Sequence, residues 1–281
     1  FTDGLVINTT IDLDMQLHAE ASANTHMSKL QDTYFKRWKN KDPWTYGADD
    51  NQKKIRQSNL LRQIRESDRF LKMRSRYVGK ISSEISADIE SVRLSDNDIF
   101  RLFAEDKKPG TIANLVKRKT VRKDQAKVYK KILASNHWPK LKSQWTKLQR
   151  AKDRIFKRKV KTKVFAYNNK GEKTVEMSPL DSIKYHNMHM QLGSISVDPR
   201  TGYIKTWVGG VGHNYFKFDH INSNRQVGST FKPFVYTAAI DQLHYSPCDE
   251  FPDVPFCIEA NKYGNPEEWC PKNSTPNYGG V

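Results

Sequence analysis

Gly228-Ser229-Thr230-Phe231-Lys232-Pro233, followed by Phe234-Val235-Tyr236-Thr237-Ala238-Ala239-Ile240, is the stretch that decides the fold. The residues after Pro233 are largely apolar, which predicts a buried helix. Proline has no amide N–H and is tolerated only in the first turn of a helix, so this helix begins just before Pro233. Ser229 then stands at or beside the helix N-terminus, where free N–H groups and the positive end of the dipole favour charge on a reacting oxygen. Ser229 and Lys232 are three residues apart and share one helix face. A serine hydroxyl is a weak nucleophile until a base takes its proton. A lysine removed from water can be that base, because desolvation disfavours its charged form. Ser-x-x-Lys occurs only here in the chain. The same residues also suit a serine helix cap beside a surface lysine, a reading without chemistry.

Two hairpins lie upstream. Ser194-Ile195-Ser196-Val197, a turn at Asp198-Pro199-Arg200-Thr201-Gly202, and Tyr203-Ile204-Lys205-Thr206-Trp207-Val208 predict one of them. The alternation of Ile195, Val197, Ile204 and Val208 places one face on a core. Lys163-Val164-Phe165-Ala166-Tyr167, a turn at Asn168-Asn169-Lys170-Gly171, and Lys173-Thr174-Val175-Glu176 predict the other. Between the hairpins, Ser178-Pro179 opens a helix through His189. At the start of the chain, Leu5-Val6-Ile7-Asn8-Thr9-Thr10 reads as a strand. Asp12 then caps a helix with Leu13, Leu17 and Ala21 in one stripe, running to about Leu30.

Residues 31–163 change character. Within 51–163, 33 Lys and Arg face 11 Asp and Glu, a surplus of 22, although the whole chain carries only +17. Ile64, Leu71 and Met73, then Val116, Val121, Val128 and Leu133, sit among these charges. Leu141, Trp145 and Leu148 repeat at i, i+4, i+7, and the whole stretch predicts several helices. Breaks fall at Asp42-Pro43, Lys108-Pro109-Gly110 and Trp138-Pro139. The expected division is a first strand and helix over 1–30, a basic helical insert over 31–163, and a third part over 164–281 holding the serine segment.

The 281 residues suffice for one large domain or two ordinary ones. No run of eighteen apolar residues spans a membrane. Phe1-Thr2-Asp3-Gly4 has none of the marks of a signal peptide and reads as a cut edge. Cys248, Cys257 and Cys270 form no Cys-x-x-Cys pair, which disfavours a zinc knuckle. Two readings stay open for them: a strap between two in an oxidising compartment, or three free thiols.

The run Arg225-Gln226-Val227-Gly228-Ser229-Thr230-Phe231-Lys232-Pro233-Phe234-Val235-Tyr236 resembles the active-serine segment of class A penicillin-binding proteins. Val197-Asp198-Pro199-Arg200-Thr201-Gly202-Tyr203-Ile204 with Trp207-Val208-Gly209-Gly210 resembles the family's hairpin just upstream. Gly4 to Asp12 with Met15-Gln16 resembles the entry into the transpeptidase domain, and Trp269-Cys270-Pro271-Lys272-Asn273 a downstream Trp-x-Pro-x-Asn segment. Met177-Ser178-Pro179-Leu180-Asp181-Ser182 resembles the variety with a long insert. The resemblances come in family order and cover 1–28 and about 164–281.

What the resemblance implies is an α/β (α+β) fold of the penicillin-recognising serine transpeptidase type: an antiparallel sheet flanked by helices, incomplete here and carrying an all-α insert. It implies Ser229 as nucleophile, Lys232 as acylation base, and Gly228, Thr230, Trp269 and Asn273 as substrate-binding residues. It implies no cofactor and no metal, with peptidoglycan stem peptides and beta-lactam antibiotics as ligands and the periplasmic face of the inner membrane as location. The family's Ser-x-Asn and Lys-Thr-Gly motifs are expected after Val281, and a glycosyltransferase domain before Phe1. Without them the Ser229 N–H is the one oxyanion donor present, and little turnover is expected.

Other constellations carry less. His186 and His189 are three apart on an expected helix, but no acidic or cysteine partner stands at ligand spacing, so they read as surface histidines. Gly209-Gly210-Val211-Gly212 lacks a following Gly-Lys-Ser/Thr and reads as a tight turn. The basic insert with Trp38, Trp44, Trp138 and Trp145 reads first as a solvated scaffold. Docking to an anionic membrane surface or an envelope protein comes second, and nucleic acid is disfavoured for want of a motif. The rivals to the transpeptidase are a non-catalytic docking or scaffold protein that retains the serine segment, and a serine beta-lactamase. The long insert and the Gln226-Val227-Gly228 context disfavour the latter.

Overall fold

The fold is that of a computed structural model, which describes residues 4, 6–89, 93–168 and 170–273. Phe1, Thr2, Asp3, Leu5 and Asn169, which belong to the expected N-terminal segment and hairpin turn, lie outside these. The chain divides into two units, Phe1–Asn222 and Ser223–Val281.

The first unit opens with α1 (Leu13–Arg37), capped by Asp12, whose carboxylate accepts from the Met15 N–H at 3.1 Å. Residues 6–10 form no strand, contrary to expectation, and Val6 and Ile7 are exposed. Asp12 N–H donates to the Lys205 carbonyl and the Thr10 hydroxyl to the Ile204 carbonyl, so the segment is pinned without a ladder. Further along, α1 itself takes over, because the Gln16 side chain both accepts from Trp207 N–H (2.8 Å) and donates to Trp207 O (3.0 Å).

The basic block is helical from Asp50 to Lys157, with α2 (Asp50–Glu66), α3 (Asp68–Ile89), α4 (Asp96–Lys107), α5 (Thr111–Lys117), α6 (Lys123–Ala134) and α7 (His137–Lys157), while α1 runs to Arg37, past the expected Leu30, and a strand begins at Val160, inside the expected insert. Phe70, Val78, Ile85, Ile99, Leu102, Tyr129 and Ile132 meet Leu141, Trp145 and Leu148 in one core, and Val121 and Ile64 join it. Leu71 stays largely exposed, while Met73, Val116, Val128 and Leu133 pack only at the margin. The break expected at Trp138-Pro139 falls one turn earlier. Pro139 lies in the first turn of α7, where a missing N–H leaves no helical bond unmade.

One polar knot is buried in this core. Asp98 accepts from the Ser95 hydroxyl (2.6 Å), the Tyr129 hydroxyl (2.5 Å) and Gln125 (3.1 Å). Burial pushes the Asp98 carboxyl up, but the bonds from Ser95 and Tyr129 outweigh it and hold the group below its ordinary value. Burial and the adjacent carboxylate push the Tyr129 phenol up to about 12.

After α7 the chain turns to β structure. β1 (Val160–Phe165) pairs antiparallel with β2 (Glu172–Met177), with Val160 opposite Met177 and Phe165 opposite Glu172. α8 (Pro179–Asn187) follows, opened by a reciprocal Ser178–Asp181 capping box. β3 (Ser194–Val197) and β4 (Ile204–Val208) make the second hairpin. The architecture is therefore mixed α/β, with two separate two-stranded antiparallel sheets among the described residues. The expected core face is corrected in part. Ile195 and Val197 are 44% and 46% exposed, whereas Thr206 and Val208 on β4 are buried.

His186 and His189 are not surface residues either, and His189 is only 7% exposed. The His186 Nδ1 donates to the Ser182 carbonyl (2.7 Å) and its Nε2 accepts from the Phe165 N–H (3.3 Å), which fixes one neutral tautomer. His189 donates to the Tyr185 carbonyl at 2.9 Å and packs among the rings of Phe35, Phe165, Tyr185 and Phe216. Burial lowers the pKa of both imidazoles. The glycine run beyond β4 is a close approach, not a phosphate loop: a Cβ on Gly212 would lie 2.5 Å from the Phe165 ring.

The second unit holds a 3₁₀ turn over Gly228–Phe231, which leads directly into α9 (Lys232–Leu243). Composition predicts a buried helix here, and the structure corrects this: α9 has no buried residue, and Phe234 is 67% exposed. Its apolar side chains are left uncovered within its own unit. Farther on, Cys257 and Cys270 form a disulfide, which resolves the open cysteine question, and Cys248 is free and exposed. Beside the disulfide, Ile258 and Trp269 exchange both backbone hydrogen bonds, at 2.8 and 2.9 Å.

Candidate active site

The serine segment is built by its backbone. Gly228 has φ +52°, a left-handed conformation that side-chain-bearing residues rarely adopt. This reverses the chain and places Ser229 at the second position of the 3₁₀ turn. The turn is closed by Thr230, whose N–H donates to the Val227 carbonyl at 3.2 Å and whose hydroxyl donates to the same oxygen. The Lys232 N–H donates to the Ser229 carbonyl, so the turn runs without a gap into α9. Pro233 occupies the first turn of α9, as its missing N–H requires.

The structure thus brings Gly228, Ser229, Thr230 and Lys232 together at one helix start. It does not join the expected nucleophile to the expected base: among the described residues no hydrogen bond links the Ser229 hydroxyl to the Lys232 amine, and both side chains are exposed. The burial that a lysine base needs is not supplied by these residues. Thr230 spends its hydroxyl proton on the turn, and so acts on geometry first. Trp269 lies inside the loop closed by the Cys257–Cys270 bridge and Asn273 just beyond it. Trp269 is 55% exposed, and the Asn273 amide donates to the Asp253 carboxylate at 2.6 Å. No hydrogen bond or ring contact connects this pair to Ser229 among the described residues.

Sequence reasoning left the strap open. The thirteen-residue separation of Cys257 and Cys270 is compatible with a bridge, but nothing in the sequence says which pair closes. It missed Gln16 and Gln31, since a glutamine in a helix gives no signal that its amide will bond distant backbone. Gln31 is 2% exposed and clasps Met188 O (3.0 Å) and Met190 N–H (2.8 Å). Cys257, Cys270 and Glu268 lie close enough to hold a cation, but the two sulfurs are spent on each other.

The family model described as the penicillin-binding protein middle domain matches residues 112–190, which run from α5 through α8 and stop short of Ser229. The chain is similar to penicillin-binding protein 1A of Escherichia coli, at 39% identity over 87 residues, which is 31% of this chain and 10% of that protein. It is 34% identical over 114 residues to penicillin-binding protein 1A of Neisseria gonorrhoeae, covering 40% of this chain and 13% of that protein. For penicillin-binding protein 1A of Neisseria flavescens the identity is 35% over 92 residues, 32% of this chain and 11% of that protein. These matches take in about a tenth of the length of the curated relatives. No solved structure matches the chain. Together, the middle-domain match and these relatives support the resemblance to a partial stretch of a class A penicillin-binding protein, over 31–40% of this chain.

Proposed function

We propose that this chain contributes the acylating serine and its base to a peptidoglycan D,D-transpeptidase of the cell envelope. The observation that carries the proposal is the serine turn: Gly228 in a left-handed conformation sets Ser229 one turn ahead of Lys232 at the head of an apolar helix. Similarity to penicillin-binding protein 1A relatives supports it.

In the reaction, Ser229 Oγ attacks the carbonyl carbon of the penultimate D-Ala of a stem peptide while Lys232 Nζ accepts the hydroxyl proton. The carbonyl electrons move onto oxygen, where the Ser229 N–H is one donor, and a second donor comes from outside these residues. Collapse of the adduct breaks the C–N bond and returns a proton to the leaving D-Ala amine. The amine of a neighbouring stem peptide then takes the acyl group from Ser229 and frees the hydroxyl. Beta-lactams enter as donor mimics and stop at the acyl-enzyme. The sequence surrounding this stretch in the whole protein must bury Lys232 before any of this proceeds. For that reason the chain alone is expected to turn over little or nothing.

The exposed, unbonded Ser229–Lys232 pair favours one rival: a docking or scaffold protein of the envelope that keeps the serine segment without using it. Fluorescent penicillin labelling of the full-length protein separates the two. Wild type is expected to label and Ser229→Ala to lose all label, with Lys232→Ala at least about a hundredfold slower. Equal labelling of wild type and Ser229→Ala removes the transpeptidase assignment.

A further inference from the structure

The helical block carries a cleft that acyl transfer does not use. It encloses about 790 Å³ between α2, the start of α3 and the N-terminus of α4. Arg62, Arg65, Arg74 and Arg93 line it, with Glu66 and Asp96 as its carboxylates. The walls belong to a block with its own closed core, so the shape of the cleft is set by that core.

Two of the guanidiniums are held in place. The Arg74 Nε donates to Asp96 at 2.5 Å and its Nη2 to the Leu94 carbonyl at 2.6 Å, leaving one arm of the fork. Arg65 lies over the Phe100 ring, 5.2 Å from its centroid, and its Nε donates to the Leu61 carbonyl at 3.3 Å. Its two terminal nitrogens remain as donors. Arg62 stands 4.0 Å from Glu66, a loose pair, and Arg93 makes no hydrogen bond or ion pair among the described residues. Ser95, Asp96 and Asn97, at the N-terminus of the twelve-residue α4, line the same space.

Four guanidiniums against two carboxylates leave two positive charges uncompensated in one concavity. Such a cleft concentrates counter-anions, and fixed guanidinium forks match the oxygens of a phosphate. A carboxylate ligand neutralises one of the two charges; a phosphomonoester carries about −1.5 to −2 at neutral pH and neutralises both. We infer that this cleft binds a phosphate-bearing ligand, gripped by Arg62, Arg65 and Arg93 beside the α4 N-terminus. The site is independent of the serine segment and of the acyl-transfer proposal.

The phosphate can belong to a soluble compound or to a phospholipid headgroup, and the test separates these sources. Inorganic phosphate is titrated into the full chain by calorimetry at low salt, and vesicles of phosphatidic acid in phosphatidylcholine are added in a sedimentation assay. Phosphate is expected to bind, with Arg62→Ala and Arg93→Ala each weakening it about tenfold or more. Both side chains are exposed, so these variants keep the fold, which circular dichroism verifies. Lys130→Ala, on an exposed part of α6, is the matched charge control and is expected to change nothing. Sedimentation with vesicles that free phosphate reverses identifies a headgroup; phosphate binding without sedimentation identifies a soluble ligand. The inference is overturned if neither probe binds, or if Lys130→Ala weakens binding as much as the arginine variants.

Discussion

α7 and α9 both present large apolar side chains, yet one is sealed and the other is bare. In α7 the apolar residues keep to one stripe, with Leu141, Trp145 and Leu148 buried in the helical core while lysines and arginines take the opposite face. In α9, Phe234, Val235, Tyr236 and Ile240 point in all directions, and each is at least half exposed. A stripe needs one neighbouring layer; a helix that is apolar all round needs a shell. The contrast teaches that the basic block supplies its own burial, while the serine helix is built for surroundings that its own unit does not contain.

The sharpest way to break this contrast is a matched pair of truncations. Leu148→Ala opens a cavity in a filled core and is expected to destabilise the first unit by about 2–5 kcal/mol in urea unfolding. Ile240→Ala in the same chain is expected to change stability by less than about 0.5 kcal/mol, because its side chain has little packing to lose. A large loss from Ile240→Ala means that α9 is covered after all.

The next largest effect concerns the strap. The Cys257–Cys270 bridge closes a loop whose tethering is worth roughly 3 kcal/mol. Cys257→Ser, or reduction of the wild type, is expected to make the segment around Trp269 the first site cut in limited proteolysis of the full chain, at least tenfold faster than before. Unchanged cleavage shows that the exchanged Ile258 and Trp269 hydrogen bonds hold the loop by themselves.

The smallest expected effect is a pH dependence of the first unit. Both His186 and His189 have folded pKa values lowered from 6.5, chiefly by burial. The unfolded chain takes up these protons near pH 6.5 and the folded chain resists them, so the stabilisation is complete above that pH and is lost as pH falls through the lowered folded values. Urea midpoints at pH 7.5 and 5.5 are expected to show the loss, and His189→Phe to lessen it. An identical drop in that variant assigns the pH dependence to other groups.

Much of this fold is legible from pattern. The Leu141, Trp145 and Leu148 spacing, the turn residues of both hairpins and the Ser178-Pro179 opening act locally, so the chain forms what they specify. Pro233 likewise fixes where the serine helix starts. The misreadings have a common cause, which is competition from distant residues. The apolar residues near the N-terminus do not make a strand; the segment is held instead by isolated bonds from Thr10 and Asp12 to the Ile204 and Lys205 carbonyls. Ile195 and Val197 alternate correctly, but the layer that covers this hairpin reaches β4 and not β3. His186 and His189 read as surface residues because no local signal announces an aromatic cluster drawn from Phe35, Phe165 and Phe216. For the site, the sequence specifies the Gly228–Lys232 turn, and says nothing of what encloses it.

Gln16 and Gln31 stand fifteen positions apart on α1, close to four whole helical turns, so they share a face about 22 Å from end to end. Each rivets the helix to main chain, one at Trp207 and the other at Met188 and Met190. α1 therefore behaves as a gauge rod with two fixed marks. Adding or removing a single residue between the marks swings one amide about 100° away from its seat and forfeits a pair of bonds. Length changes are therefore tolerable before Gln16 or after Gln31, and selected against in between.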